Sequence, residues 1–250
     1  LNGGTLQATD SFVMHPNRGI VLGTGGGTIA VDSTKALSYA GVISGSTGLT
    51  KLGAGQLTLA AANSYTGGTT VSEGELVAAG TSNALGTGNV SVSSVLSLNT
   101  DTSTTYANNV SISGTGVLQN IGTQPATFTG VVNTNLTNTT VVDGGTAGIT
   151  LSGQATPGGQ GAGYFIKGNV TFQGNALNNL VIQAVGDAKA SFASSGSVTR
   201  FTPLWIGGAT SATPLSIDVA AGLTVAENAA QGAGDLYYKN LSGAGALSLG

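Results

Sequence analysis

The chain has 250 residues, with 42 Gly, no Cys, and only 7 Lys or Arg against 10 Asp or Glu. A hydrophobic share of 40% and a mean hydropathy of +0.24 exclude a disordered polar linker, and glycines without a three-residue period exclude collagen. A net charge of −3 with pI near 4.8 argues against nucleic acid or an anionic membrane surface as partner, and the missing cysteine removes disulfides, thiolate catalysis and thiolate metal sites.

The chain opens Leu1-Asn2-Gly3-Gly4, without a basic n-region or an apolar h-region, and ends Leu247-Ser248-Leu249-Gly250 inside a strand pattern. It therefore reads as residues 1–250 of one continuous solenoid cut from a longer chain. Gly, Ser, Thr, Asn and β-branched residues, all poor in helix interiors, dominate throughout. Alternating apolar and polar positions predict strands at Gln56–Leu59, Val90–Val92, Val95–Leu98, Val110–Ile112 and Leu215–Val219. Gly-rich breaks at 23–27, 67–68 and 158–159 predict the turns between strands. Gly23-Thr24-Gly25-Gly26-Gly27 has no following helix or Lys, so it reads as a turn rather than a phosphate cradle.

Self-comparison adds a repeat. Ile43-Ser44-Gly45 recurs as Ile112-Ser113-Gly114 and Leu49 recurs as Leu118; 112 − 43 and 118 − 49 are both 69. Ile217-Asp218-Val219 likewise echoes Ile29-Ala30-Val31. This spacing predicts three coils of about 23 residues each, in an all-β parallel solenoid with about 20–25 residues per coil. Residues 1–80 carry the clearest copy, 81–150 a second copy, and 151–250 divergent coils ending in a truncated repeat. In such a stack a charge repeated every turn would face its like at ~4.8 Å, which accounts for the scarcity of charge.

The stretch Leu49–Leu76, LTKLGAGQLTLAAANSYTGGTTVSEGEL, resembles the passenger-associated β-strand repeat of autotransporters. Leu49, Lys51, Gly53, Gly55, Leu57, Leu59, Asn63, Tyr65, Gly67, Thr69, Gly74 and Leu76 fall on the marked positions of that motif, while Ala61 stands where the pattern usually has Gly. The resemblance implies a right-handed parallel β-helix secreted across a bacterial outer membrane. It implies architecture and location, and not an activity.

Little in the sequence can do chemistry. His15, the one histidine, lies in the loop-like Met14-His15-Pro16-Asn17-Arg18 and reads as an exposed loop residue. No cluster has metal-ligand spacing, and no cofactor is expected. Asp32 and Asp101 share the 69-residue offset, which would set them on one face three turns and ~14 Å apart, beyond any paired-carboxylate geometry. Glu73 and Glu75 read as a solvated strand edge. Thr127-Phe128-Thr129 reads as ordinary strand surface, because the Thr-x-Thr pattern does not recur at the coil period. Tyr164, Phe165 and Trp205, in the aromatic-rich stretch 164–206, are candidates for an interaction patch, with stacked core as the competing reading.

The expected function is a structural or adhesive extracellular module of a bacterial surface protein or filament, not an enzyme. The alternative is a glycan-binding or polysaccharide-degrading β-helix. Expected partners are other copies of the chain, or the rest of the same long chain, by end-to-end stacking, together with a host or neighbouring-cell surface or glycan. Neither nucleic acid nor a transmembrane segment is expected.

Overall fold

The computed structural model describes residues 1–134, 140–153, 163–173, 181–193, 200–201, 205–207, 215–219, 224–226, 238–243 and 246–248. Every regular element among them is a β-strand, and every strand pair is parallel. The Gly158-Gly159 break lies outside the described residues.

Short alternating segments split by glycine cannot make long hairpin strands, but they can wind a coil. Each turn contributes one strand to each of up to three faces. The first face stacks seven strands, Gly4–Ala8, Gly27–Val31, Leu49–Leu52, Thr69–Val71, Val90–Val92, Val110–Ile112 and Val132–Thr134. The second stacks Phe12–Met14, Ala36–Tyr39, Gln56–Leu59, Glu75–Ala79, Val95–Asn99, Val117–Asn120 and Val141–Asp143. The third begins with Ile20–Leu22 paired to Ile43–Gly45 and resumes with Thr104–Tyr106, Ala126–Phe128 and Ile149–Leu151. Two longer strands, Gly163–Gln173 and Val181–Ala193, run through both the second and third faces, with a register shift between Ile166 and Gly168.

Partners on the first face are 20 to 23 residues apart, as in Gly4↔Gly27 and Leu49↔Thr69. The parallel solenoid and its coil length follow the sequence reading. The 69-residue offset does not mark whole coils. Ile43 pairs with Ile20 on the third face, whereas Ile112 pairs with Val92 on the first. Leu49 is on the first face and Leu118 on the second. Ile217 pairs with Ala190 on the third face, while Ile29 is on the first. Three coils from Leu49 end at Val110, 61 residues on, and the remaining stretch carries the chain round to the next face.

Alternation sends every second residue inward, and parallel register stacks like on like. Leu37, Leu57, Leu76, Leu96 and Leu118 form one buried column continued by Val142 and Ile166. Burying each such side chain contributes about 1.5–3 kcal/mol. On the third face Tyr106 stacks on Phe128 with ring centroids 5.2 Å apart, and Phe172 on Phe192 at 5.7 Å. A narrow solenoid thus keeps a continuous core from small, repeated contributions.

Candidate functional site

The segment most heavily marked by the sequence, Leu49–Leu76, forms one full coil and the start of the next. Leu49, Leu57, Leu59 and Leu76 all face inward and are buried. Alternation forces Lys51 inward too, between Ile29 and Val71 of the neighbouring coils. It is fully buried, and its ammonium donates to the carbonyls of Leu52 at 2.8 Å, Gly53 at 2.6 Å and Glu73 at 3.1 Å. Three donors meet three acceptors, and the last acceptor belongs to the next coil. Burial pulls the Lys51 pKa down to about 8, against the opposing pull of the Glu73 and Glu75 carboxylates.

The corner that Lys51 caps needs Gly53. Its φ is +74°, and a Cβ there would lie 2.3 Å from the Val31 carbonyl oxygen of the preceding coil. A carboxylate oxygen of Glu73 accepts from the Gly53 amide at 2.9 Å. Glu73 and Glu75 do not share a strand edge. Glu73 is exposed ahead of the strand, whereas Glu75, its first residue, is half-buried and accepts from Gln56 Nε2 at 2.7 Å and Ser97 Oγ at 2.5 Å. Ser97 in turn accepts from Gln119 Nε2 at 2.8 Å, so one polar run joins four coils.

Asn63, Tyr65 and Thr69 fasten the third face where it has no regular strand. Asn63 accepts from the Ile43 amide at 2.8 Å and donates to the Ala84 carbonyl at 2.6 Å, so one side chain bridges the coils before and after it. The Tyr65 hydroxyl meets Thr69 Oγ1 at 2.5 Å, and Thr69 Oγ1 lies 2.9 Å from the Leu85 carbonyl. Gly67 is packed so tightly that a Cβ would lie 2.3 Å from Thr47. A Cβ on Gly55 would likewise lie 2.2 Å from the Asp32 carbonyl oxygen, and one on Gly74 2.4 Å from that of Gly53.

Other candidates disperse. His15 is exposed beyond the strand Phe12–Met14 and accepts at Nδ1 from the Asn17 amide. Asp32 follows a first-face strand and accepts from Gln7, whereas Asp101 lies beyond a second-face strand, so the two are not one column. Tyr164 is core and not patch, being 2% exposed with its hydroxyl donating to the Val132 carbonyl. Phe165 is half-buried on the outward side. The Trp205 side chain lies outside the described residues. Three ion pairs join neighbouring coils among the described residues, Asp10 with Lys35 at 3.1 Å, Asp143 with Lys167 at 2.8 Å and Lys189 with Asp218 at 3.4 Å. Among the described residues no three His, Asp or Glu side chains gather as a metal site.

Two features escaped the sequence reading. Threonine does recur at the coil period, one per strand rather than as Thr-x-Thr. Thr127 is in register with Thr105 and Thr150, and Thr150 with Thr171, on the third face. On the first face Thr5, Thr28, Thr50 and Thr70 are in register and continue into Ser91 and Ser111. The unequal steps between them hid the column from a fixed-offset comparison. Beside this second column, a groove of about 350 Å³ runs along the corner from Gly3 to Ser91, and a second of about 360 Å³ continues it from Asn89 to Asn133.

Residues 49–78 match the family model described as the passenger-associated transport repeat. The chain thus carries a passenger-associated transport repeat. Over 214 residues, 81% of the chain, it is 32% identical to a protein of Brucella suis biovar 1 (strain 1330) named adhesin BmaC autotransporter. The chain spans 6% of that relative's length. No solved structure matches it. The matched repeat coincides with the coil closed by Lys51, Asn63 and Thr69, so the repeat motif is a recipe for joining coils.

Proposed function

We propose that this chain is an adhesive and structural module of an extracellular bacterial surface β-helix, without catalysis of its own. The observation that supports this most directly is how the repeat residues are used. Lys51, Asn63 and Thr69 point inward and bond one coil to the next, with Tyr65 bonded to Thr69, which leaves the outward faces for contact with partners. The relative with 32% identity carries the name adhesin and autotransporter, in line with a secreted passenger held at the outer membrane. Parallel strands have unpaired edges at the ends of any coil stack, so the partners that best fit the backbone are further coils, of the same long chain or of another copy. A host or neighbouring-cell surface is the second partner of this reading.

The test is surface display of the chain on a bacterium stripped of its own adhesins, followed by counting cells retained on epithelial or bacterial layers. Retention well above the empty display vector is expected. Retention equal to the vector overturns the adhesive reading. Electron microscopy of the purified chain checks stacking, with filaments of ~4.8 Å axial repeat expected for end-to-end association.

A further inference from the structure

We propose that the corner groove on the first face is a binding track for an extended neutral polysaccharide strand, a proposal that rests on the adhesive reading and names its ligand class. Three independent features converge there. The first is spacing. Thr28, Thr50, Thr70, Ser91 and Ser111, which line the two groove segments, are stacked in register on successive coils. Strands one coil apart lie ~4.8 Å from each other, close to the advance of one pyranose unit along an extended β-linked chain. Hydroxyls set that far apart cannot bond to one another, and each is left able both to donate and to accept.

The second feature is the trough. At the corner the chain carries Gly26, Gly48 and Gly68 on successive coils, so no side chain stands over the backbone and a flat sugar ring can approach it. Further along, Asn89 and Asn109 replace glycine and supply amides, with Asn109 Nδ2 donating to Asn89 Oδ1 at 3.3 Å. The third feature is charge. No lining residue of either groove segment is ionisable. In a chain of net charge −3 this lining favours neutral glycans and disfavours sulfated or uronic ones.

The third face provides an internal control. It carries a hydroxyl column of its own, Thr105, Thr127, Thr150 and Thr171. None of these residues lines the grooves. Titration of the full chain with cellohexaose, followed by calorimetry or amide chemical shifts, is the direct test. Binding that strengthens from cellobiose to cellohexaose is expected, because each added unit meets another coil. Replacing Thr28, Thr50 and Thr70 together by Val keeps the β-branched shape and removes the hydroxyls; a loss of about tenfold or more is expected. Replacing Thr105, Thr127 and Thr150 together by Val is expected to leave binding unchanged, and heparin is expected not to compete.

Absence of cellohexaose binding, equal loss in both triple variants, or affinity independent of chain length overturns the track. The display assay separates the two readings. Cells carrying the first-face triple variant that still adhere as the parent does would remove the groove and leave the adhesive module standing.

Discussion

The Lys51 ammonium reaches across one coil boundary and donates to the carbonyl oxygen of Glu73 at 3.1 Å, while Glu73 reaches back with its carboxylate to the amide of Gly53 at 2.9 Å. This reciprocal pair closes the corner between the first and second faces. Each ammonium donor has a carbonyl acceptor, which offsets part of the cost of burying Lys51 in so narrow a core.

Lys51→Met removes the charge and strands those acceptors. A destabilisation of about 1–3 kcal/mol in urea unfolding at pH 7 is expected. The pH profile identifies the cause. The folded pKa of about 8 lies below the ordinary value of 10.5, so between those two the unfolded chain holds more protons. Stability contributed by this group therefore rises with pH across that window, by at most ~1.4 kcal/mol per unit, and is absent below it. Above pH 10 the buried tyrosines oppose it. Burial raises the pKa of Tyr65, Tyr164 and Tyr106, the last to about 12, so the unfolded phenols ionise first and stability falls. The urea midpoint of the parent should rise from pH 8 toward 10 and then drop, and the Met variant should lack the rise. A parent profile flat over that range would refute this account of Lys51.

Leu57→Ala opens a gap in the leucine column between Leu37 and Leu76. A loss of about 2–5 kcal/mol is expected. Thr58→Ala, on the outward side of the same strand, should change stability by no more than about 0.5 kcal/mol. Thermal melts of the two variants side by side measure the difference.

Gly53→Ala and Gly80→Ala separate steric from conformational cost. Both glycines have left-handed φ, +74° and +71°, but only at Gly53 would the new Cβ strike backbone; around Gly80 nothing lies within 4 Å. Gly80→Ala should cost about 1–2 kcal/mol from the backbone alone. Gly53→Ala should cost clearly more, since a 2.3 Å approach forces two coils apart. Equal midpoints in denaturant would contradict the close packing at that corner.

Asn63→Ala leaves the Ile43 amide and the Ala84 carbonyl without their partner. Each unsatisfied buried group costs about 1–3 kcal/mol. Hydrogen exchange of the Ile43 amide should accelerate by about tenfold or more, while amides of the Leu96 column should hardly change. Uniform acceleration along the chain would instead indicate global loosening.

Much of the architecture is legible without coordinates, and the reason is local. Gln56–Leu59, Val90–Val92, Val110–Ile112 and Leu215–Val219 are strands at the boundaries that alternation predicts, because a half-buried strand must alternate. The inward leucines of the repeat are likewise set by parity. The match between Ile43 and Ile112 misled for an equally physical reason. Each face offers the same short alternating segment followed by glycine, so one face resembles another as closely as one coil resembles the next.

By itself the sequence determined that this protein winds as a parallel β-solenoid, that its glycines turn the corners and that Lys51, Asn63 and Thr69 belong to one repeating motif. Only the tertiary structure decided which residues stack. Backbone hydrogen bonds between coils fix the register, and coils of unequal length shift it by a few residues at every turn. That register turns scattered threonines into a continuous column, buries Tyr164 and sets Lys51 against the carbonyl of the following coil.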